Sequence, residues 1–361
     1  MSRSTASGVP EPRAGGRASR LHLGSGCGVG VRSASAGALD GLRESFGAWE
    51  QPAAGPEWEV ECVLDATRCE ALARQVAGEP GVPSDVFALD SSTVRLPTWR
   101  REDATLAFDD FCGCWYVLAP RRLTLVAPRG AARAALGLLR LVREAVCART
   151  AAGTLLDLHA AALEHDGRAV VLCGPRRAGK SSLLCHLLRG GAAALLGNDR
   201  TQLRDDGAGL VARGIPTIVR LRAAAPGLDR GPPLAGADGA RRLTLAQLCA
   251  ELGVVARLQA PVGVLVHLQL APGGPPWELS PAGREEGEAL LRRALYGPPR
   301  ARPTLVEELL GTAPPEVARV EARIAEIAAR MPQLLCRLGP GAYGQPAAPL
   351  LAALRAAWTA P

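Results

Sequence analysis

Ala169-Val170-Val171-Leu172-Cys173-Gly174-Pro175-Arg176-Arg177-Ala178-Gly179-Lys180-Ser181-Ser182 is the stretch on which the reading of this chain turns. Its apolar start predicts a strand, and Leu183-Leu184-Cys185-His186-Leu187-Leu188 predicts a buried helix after it. Between the two, Gly174 to Ser181 has the spacing G-x-x-x-x-G-K-S, a Walker A or P-loop pattern in the strand-to-helix context that it requires. Glycines there let main-chain N–H groups turn inward around phosphate oxygens, and the helix N-terminus adds partial positive charge. On this reading Gly174, Pro175, Arg176, Arg177, Ala178, Gly179, Lys180, Ser181 and Ser182 cradle a nucleotide. Lys180 reaches the outer phosphates and Ser181 holds Mg²⁺.

Composition adds an independent observation: Lys180 is the only lysine among 42 basic residues. A chain that writes every other positive charge as Arg keeps a compact ammonium where phosphate binding wants one, which argues against a glycine turn with an incidental lysine. The net charge of +7 does not single out nucleic acid, because the arginines are spread through all regions and aromatic residues for base stacking are only 4%. The 10 cysteines are scattered in apolar runs and read as buried thiols of a reducing cytosol. Cys112-Gly113-Cys114 lacks a second cluster at zinc spacing. No run approaches a membrane span and the start has no signal-peptide core, so the expectation is a cytoplasmic protein with no membrane partner.

At 361 residues the chain has room for two domains with separate cores. Residues 1–19 read as a disordered tail, 20–152 as a smaller mixed α/β domain and 153–361 as a P-loop α/β domain. In the first, short strands are expected near Leu21 to Leu23 and Gly28 to Val31, and a helix from Leu39 to Phe46. Further strands are expected at Trp58 to Leu64, Val86 to Leu89, Ala104 to Phe108, Cys114 to Leu118 and Leu123 to Val126, in an antiparallel sheet. A helix from Ala131 to Cys147 closes it, with Arg133, Arg140 and Arg143 covering a surface.

In the second domain, Leu155 to Leu163 and Ala169 to Leu172 read as a strand pair around Glu164-His165-Asp166-Gly167. Ala192 to Leu196 is a buried strand ending in Gly197-Asn198-Asp199-Arg200, and polar residues at such an end belong at the ligand edge of an α/β sheet. A strand and loop follow at Leu210 to Arg220, then a Gly/Pro-rich segment at 223–240 that suits either a lid or a plain connection. A core strand spans Pro261 to Leu270, with His267 as a core histidine. A helix from Pro315 to Arg330 and a strand at Leu334 to Leu338 complete the fold.

With these residues assembled, the second half resembles the HPr kinase/phosphorylase family, in particular its distant kinase-like bacterial relatives. Leu158-His159-Ala160-Ala161-Ala162-Leu163, Asp166-Gly167-Arg168, the phosphate loop, Leu187-Leu188-Arg189-Gly190 and Asn198-Asp199-Arg200 carry the resemblance, which extends over about 155 to 220. It implies ATP on Gly174 to Ser182, Asp199 near Mg²⁺ or the acceptor hydroxyl, His159 against the reacting phosphate, and Arg213 as a stabilising cation. Two departures stand out. Asn198 occupies the place of the first of two adjacent aspartates, and Val211 that of a glutamate two residues before Arg213-Gly214. Both weaken the case for reverse phosphorolysis and for HPr as the substrate; neither excludes forward transfer.

The resulting expectation is an ATP-dependent kinase acting on a Ser or Thr hydroxyl of a peptide or small protein. Its likeness to tailoring kinases encoded beside ribosomally made peptides makes a precursor peptide a reasonable acceptor. Two alternatives remain open at this stage: a nucleotide-binding regulatory or scaffold protein that has lost chemistry, and a small-molecule kinase. The sequence is silent on oligomeric state.

Overall fold

The computed structural model describes residues 19–24, 27–51, 58–89, 92–131, 133–221, 241–297, 302–312 and 316–359. The expected tail, Ser19 apart, and the Gly/Pro-rich segment 223–240 lie outside the described residues.

The first half runs β1 (Ser19–Leu23), β2 (Val29–Ser33), α1 (Ala36–Phe46), β3 (Trp58–Leu64), α2 (Ala66–Gln75), β4 (Val82–Leu89), β5 (Ser92–Arg100), β6 (Thr105–Asp109), β7 (Cys114–Ala119), β8 (Arg122–Ala127) and α3 (Ala134–Thr150). Its eight strands lie in the order β1-β2-β3-β8-β7-β6-β5-β4. The sheet is not wholly antiparallel as expected, since β2, β3 and β8 run parallel. Parallel neighbours need a crossover. The helix α2 supplies part of one where the sequence reading placed no element; it starts at Asp65, whose carboxylate accepts the Arg68 N–H at 3.1 Å. On one face α1 and α3 pack over Phe46, Trp49, Phe87, Tyr116, Leu138 and Leu141, all fully buried.

The second half begins with β9 (Thr154–Leu158), β10 (Ala160–His165), β11 (Arg168–Cys173), α4 (Lys180–Arg189), β12 (Ala194–Gly197), β13 (Arg200–Asp205), β14 (Leu210–Ile215), β15 (Val219–Leu221), β16 (Arg241–Leu243) and α5 (Leu245–Leu252). It continues through β17 (Val255–Ala256), β18 (Gln259–Leu270), β19 (Trp277–Pro281), α6 (Arg284–Ala294), α7 (Leu305–Leu309), α8 (Val317–Arg330), β20 (Gln333–Leu338) and α9 (Ala348–Thr359). Its main sheet follows β17-β12-β10-β11-β18-β14-β13-β9, with β20 joining β18 and β19 joining β20.

The long strand β18 organises this sheet. Its first residues pair with β14, its middle runs parallel to β11, and its end runs parallel to β20. The helices α4 and α9 cover one face through Leu183, Leu184, Leu187, Leu188, Leu350 and Leu354, and α6 and α8 cover the other through Leu291, Ile324 and Ile327. Each fully buried Leu or Ile contributes roughly 1.5–3 kcal/mol, so both helical layers are held down firmly. His267 lies in this core, where Nε2 and Gln333 Oε1 are 2.8 Å apart.

One expected strand is two. The run Leu155 to Leu163 breaks at His159, where β9 leaves to pair with β13 while β10 pairs with β11 and β12. The broken position is tied down by the His159 N–H, which donates to Ala294 O at 2.7 Å. The break puts the His159 side chain where two parts of the sheet diverge.

Candidate functional site

The parallel strands β18 and β20 end in register at Leu270 and Leu338, β11 stops at Cys173 opposite His267, and the loop after β11 lies at that edge, where α/β sheets place ligands. Gly174 has φ +153° and Gly179 has φ +90°, both in the region that L side chains avoid. A Cβ on Gly174 would stand 3.1 Å from Leu268 O, and one on Gly179 would stand 2.7 Å from Tyr343 Oη. Glycine is thus required at both ends of the loop by conformation and by space. Pro175, Arg176 and Arg177 form its exposed tip, whereas Ala178 is buried.

Lys180 opens α4 and is only 7% exposed. Its ammonium donates to Gly174 O at 2.7 Å and to Pro175 O at 3.1 Å, so it spans the mouth of the loop from the helix side. Ser181 and Ser182 are half-buried beside it.

Across the same edge, β12 ends at Gly197 and Asn198-Asp199 follow. His159 Nε2 and Asp199 Oδ1 are 3.2 Å apart. Burial works to raise the Asp199 carboxyl, but the His159 hydrogen bond and the charges of His159, Lys180 and Arg143 outweigh it and leave the carboxyl below its ordinary value. Asn198 is 5% exposed, and its Oδ1 accepts no hydrogen bond among the described residues. An amide oxygen buried in that state costs about 1–3 kcal/mol, and so favours a ligand that donates to it.

A buried ionic cluster stands behind this pair. Arg200 donates from Nε to Asp157 at 2.9 and 3.1 Å, from Nη2 to Asp157 Oδ2 at 2.5 Å and from Nη1 to Glu144 Oε1 at 3.3 Å. Its guanidinium carbon lies 4.2 Å from the centre of the Tyr296 ring, and Tyr296 in turn meets His159 edge-on at 6.4 Å. The Tyr296 N–H donates to Asp157 O at 2.7 Å. Burial drives the Tyr296 phenol up to about 12, and its hydroxyl has no hydrogen-bond partner among the described residues. Arg143 Nε donates to the same Glu144 oxygen at 3.3 Å.

Of the residues chosen from sequence, the structure brings Lys180, Ser181, His159 and Asp199 to one edge and sets Arg213 apart. Arg213 donates from Nε and Nη2 to Gln259 Oε1 at 3.0 and 2.6 Å, and its guanidinium carbon lies 5.3 Å from the Trp49 ring. Desolvation and the nearby Arg204 lower it to about 10. Val211 is buried opposite Arg204 and Pro261. The α3 arginines also differ from expectation. Arg133 alone covers a surface, lying over Phe111, whereas Arg140 binds the buried Asp109 at 2.7 Å and Arg143 points inward at 12% exposure. The available signal was Glu144, an acid three residues from Leu141 and from Cys147 on the apolar stripe of the helix, which calls for buried cations nearby. Tyr296 lies in no local pattern and was not legible.

The donor set suits a nucleotide with magnesium. Asp199, the Ser181 hydroxyl and the orphaned Asn198 oxygen are hard oxygen ligands of the type Mg²⁺ takes, directly or through its waters. Among the described residues no three His, Cys, Asp or Glu side chains stand together as a preformed metal cage, and all ten cysteines are free thiols. Among the same residues no helix is long and apolar enough to cross a membrane.

No family model and no curated protein matches this chain. Among solved structures, the Hpr(Ser) kinase/phosphatase from Coxiella burnetii matches at 19% identity, covering 34% of this chain and 70% of that one, with a TM-score of 0.22. The chain therefore has a distant, low-identity structural match to the HPr kinase/phosphatase family.

Proposed function

We propose that the protein is an ATP-dependent phosphotransferase that moves the γ-phosphoryl group to a hydroxyl, of Ser or Thr in a peptide or small protein. The observation that carries the reading is Lys180 clasped to the carbonyls of Gly174 and Pro175 at one edge of the sheet, with the His159–Asp199 pair at the same edge. Phosphate oxygens entering the loop would take over the ammonium now given to those carbonyls. Magnesium, held by Ser181 and Asp199 with Asn198 in reach, would neutralise charge on the β- and γ-phosphates.

In the transfer, the bond between the γ-phosphorus and the oxygen shared with the β-phosphate breaks as that phosphorus bonds to the acceptor oxygen. The hydroxyl proton passes to the His159–Asp199 pair, and ADP leaves. A carboxylate whose pKa is depressed is a weak base, but the transition state is loose and the proton leaves late, so orientation matters more than basicity. On the same ground Asn198 in place of an acid does not by itself remove the activity. The assembled His159–Asp199 pair favours this reading over a scaffold that has only kept nucleotide binding.

The test is transfer from labelled ATP to Ser- and Thr-containing peptides, starting with those encoded by neighbouring genes. Wild type should label an acceptor and Lys180→Ala should lose at least about 100-fold, the scale of removing a phosphate-stabilising cation. Equal labelling by both proteins would end the assignment.

A further inference from the structure

Between its two halves the chain leaves a cavity of about 420 Å³, walled by α3 on one side and by β9, α8 and the residues that follow α6 and α7 on the other. That is the size of a small-molecule site, far above the gaps that close packing leaves, and the junction of two halves is where such sites gather. Lys180, Ser181, His159 and Asp199 are not in its wall, so it is distinct from the phosphate loop. The wall offers three kinds of surface. Leu155, Leu310 and Val320 make an apolar part. Tyr296 makes another, and its buried hydroxyl has no hydrogen-bond partner among the described residues, a donor that an oxygen of a bound molecule would satisfy. Arg319 and Arg323, one turn apart on α8, make the third. The acids of the wall are already engaged, Asp157 and Glu144 by Arg200 and Glu307 by the Thr304 N–H at 2.7 Å. Arg323 is bonded to Glu326 at 2.5 Å, whereas Arg319 is exposed and makes no ion pair among the described residues. The charge left over in the wall is therefore positive.

We infer that this cavity is a second ligand site, for a small organic anion with an apolar body. The anionic group meets Arg319 beside Arg323, the body lies against Leu155, Leu310 and Val320, and an oxygen or nitrogen of the molecule accepts from Tyr296 Oη. A guanidinium suits an oxyanion, because two parallel N–H bonds reach two oxygens at once. An inorganic anion would leave the apolar part of so large a cavity wet, and a cation would meet two arginines. Since the wall comes from both halves, the bound molecule ties them together. It also touches the ring that meets His159 edge-on at 6.4 Å, which sets it next to the candidate site without entering it. The inference does not depend on the phosphotransferase reading.

The probe is anilinonaphthalene sulfonate, an aromatic body with one anionic group whose fluorescence rises when it leaves water, titrated into the full chain without nucleotide. Wild type should bind it at one saturable site. Arg319→Glu should lose at least about 10-fold of affinity, the scale of a hydrogen bond to a charged group, and Tyr296→Phe, which keeps the ring, about fivefold. Ala148→Trp, from a half-buried wall position on α3, should fill the cavity and abolish binding, with far-ultraviolet dichroism and the urea midpoint showing that it is folded. Arg319 is exposed, so its reversal keeps the fold and decides the matter even where Ala148→Trp does not fold. Arg74→Glu, on α2 in the cluster across the first sheet, should bind as wild type does, and a loss equal to that of Arg319→Glu would reduce the effect to net charge and overturn the site. Saturating MgADP should leave the dye in place. The inference is overturned if wild type shows no saturable binding, if Arg319→Glu binds as tightly as wild type, or if MgADP displaces the dye.

Discussion

At Asp199 two opposing effects meet, and their balance sets the pH behaviour of the site. Burial favours the neutral acid, whereas the His159 hydrogen bond and the charges of His159, Lys180 and Arg143 favour the carboxylate, and the second group wins. Because the folded value lies below the ordinary 3.8, the stabilisation from this carboxylate is fully present above the unfolded value and is lost only as pH falls through the depressed folded value. Its size is small, since the side chain is 40% exposed and solvent screens the pair. The carboxylate is accordingly ionised throughout the range above about pH 5. His159→Gln removes one of the forces that depress it, so the Asp199 pKa should move back up toward 3.8. NMR titration of the Asp199 side-chain carboxyl in both proteins reads this directly, and an unmoved or lowered value would mean that His159 is not what holds the acid down. Arg200 illustrates the opposite situation, a charge held by charges rather than by solvent. Replacing it with Met leaves Glu144, itself buried, and Asp157 without their shared cation, and chemical denaturation should show a loss of about 3–5 kcal/mol. Arg200→Met combined with Asp157→Leu and Glu144→Leu should recover most of it, because an apolar replacement of the whole cluster leaves no uncompensated charge.

The 174–179 turn between β11 and α4 was legible because its requirements are local. Gly174 and Gly179 need positive φ, the residues before them need a buried strand and those after them a buried helix, and all three show in one short window. The ends of β12 and β18 were legible for the same reason, through apolar runs that stop at polar residues. The break at His159 was not, since Leu155 to Leu163 is apolar through most of its length and nothing in it says which partner each half will choose; the choice is made by β13 and β12, some forty residues away. The parallel pairing of β2, β3 and β8 was hidden likewise, because strand direction depends on crossovers rather than on the strands' own alternation. The turn also carries a prediction that is confined to its element. Gly179→Ala forces a side chain to φ +90° and drives its Cβ to 2.7 Å from Tyr343 Oη, so it should cost about 1–3 kcal/mol of stability and weaken MgATP binding. Adding Tyr343→Phe removes the clashing oxygen but not the dihedral strain. Calorimetric titration with MgATP should therefore show partial recovery in the double variant; full recovery would assign the whole cost to the clash, and none would assign it to the backbone.

Across the whole molecule, the interior of the first sheet is closed in part by residues of the second half, whereas the two faces of the second sheet keep clusters of their own. Leu305, Val306 and Leu310, from α7 and the residue that follows it, lie in the same buried cluster as Phe46, Leu138 and Leu141 of the first half, and Ile215 at the end of β14 joins them. Polar ties cross at the same level. Thr150 Oγ1 donates to Gln202 Oε1 at 3.1 Å, Arg204 donates to Thr150 O at 3.2 Å, and Glu144 of α3 meets Arg200. Nothing in the sequence, with its room for two cores and a glycine at position 153 between them, signals this sharing, because the late residues that complete the first core read locally as an ordinary short helix. A fragment made of residues 153–361 would expose four large apolar side chains of its own, Ile215, Leu305, Val306 and Leu310, and strip Glu144 from Arg200. Each of those side chains is worth roughly 1.5–3 kcal/mol when buried, and the sum rivals the whole stability of an ordinary domain. The full chain should therefore unfold in urea in a single transition, with near-ultraviolet dichroism of Trp49 and its neighbours in the first half and the loss of bound nucleotide in the second sharing one midpoint. The fragment should fail to bind MgATP even though it contains the entire 174–182 stretch. Two separated midpoints, or a fragment that binds nucleotide as tightly as the full chain, would show that the shared interior is a contact between independent units rather than a common core.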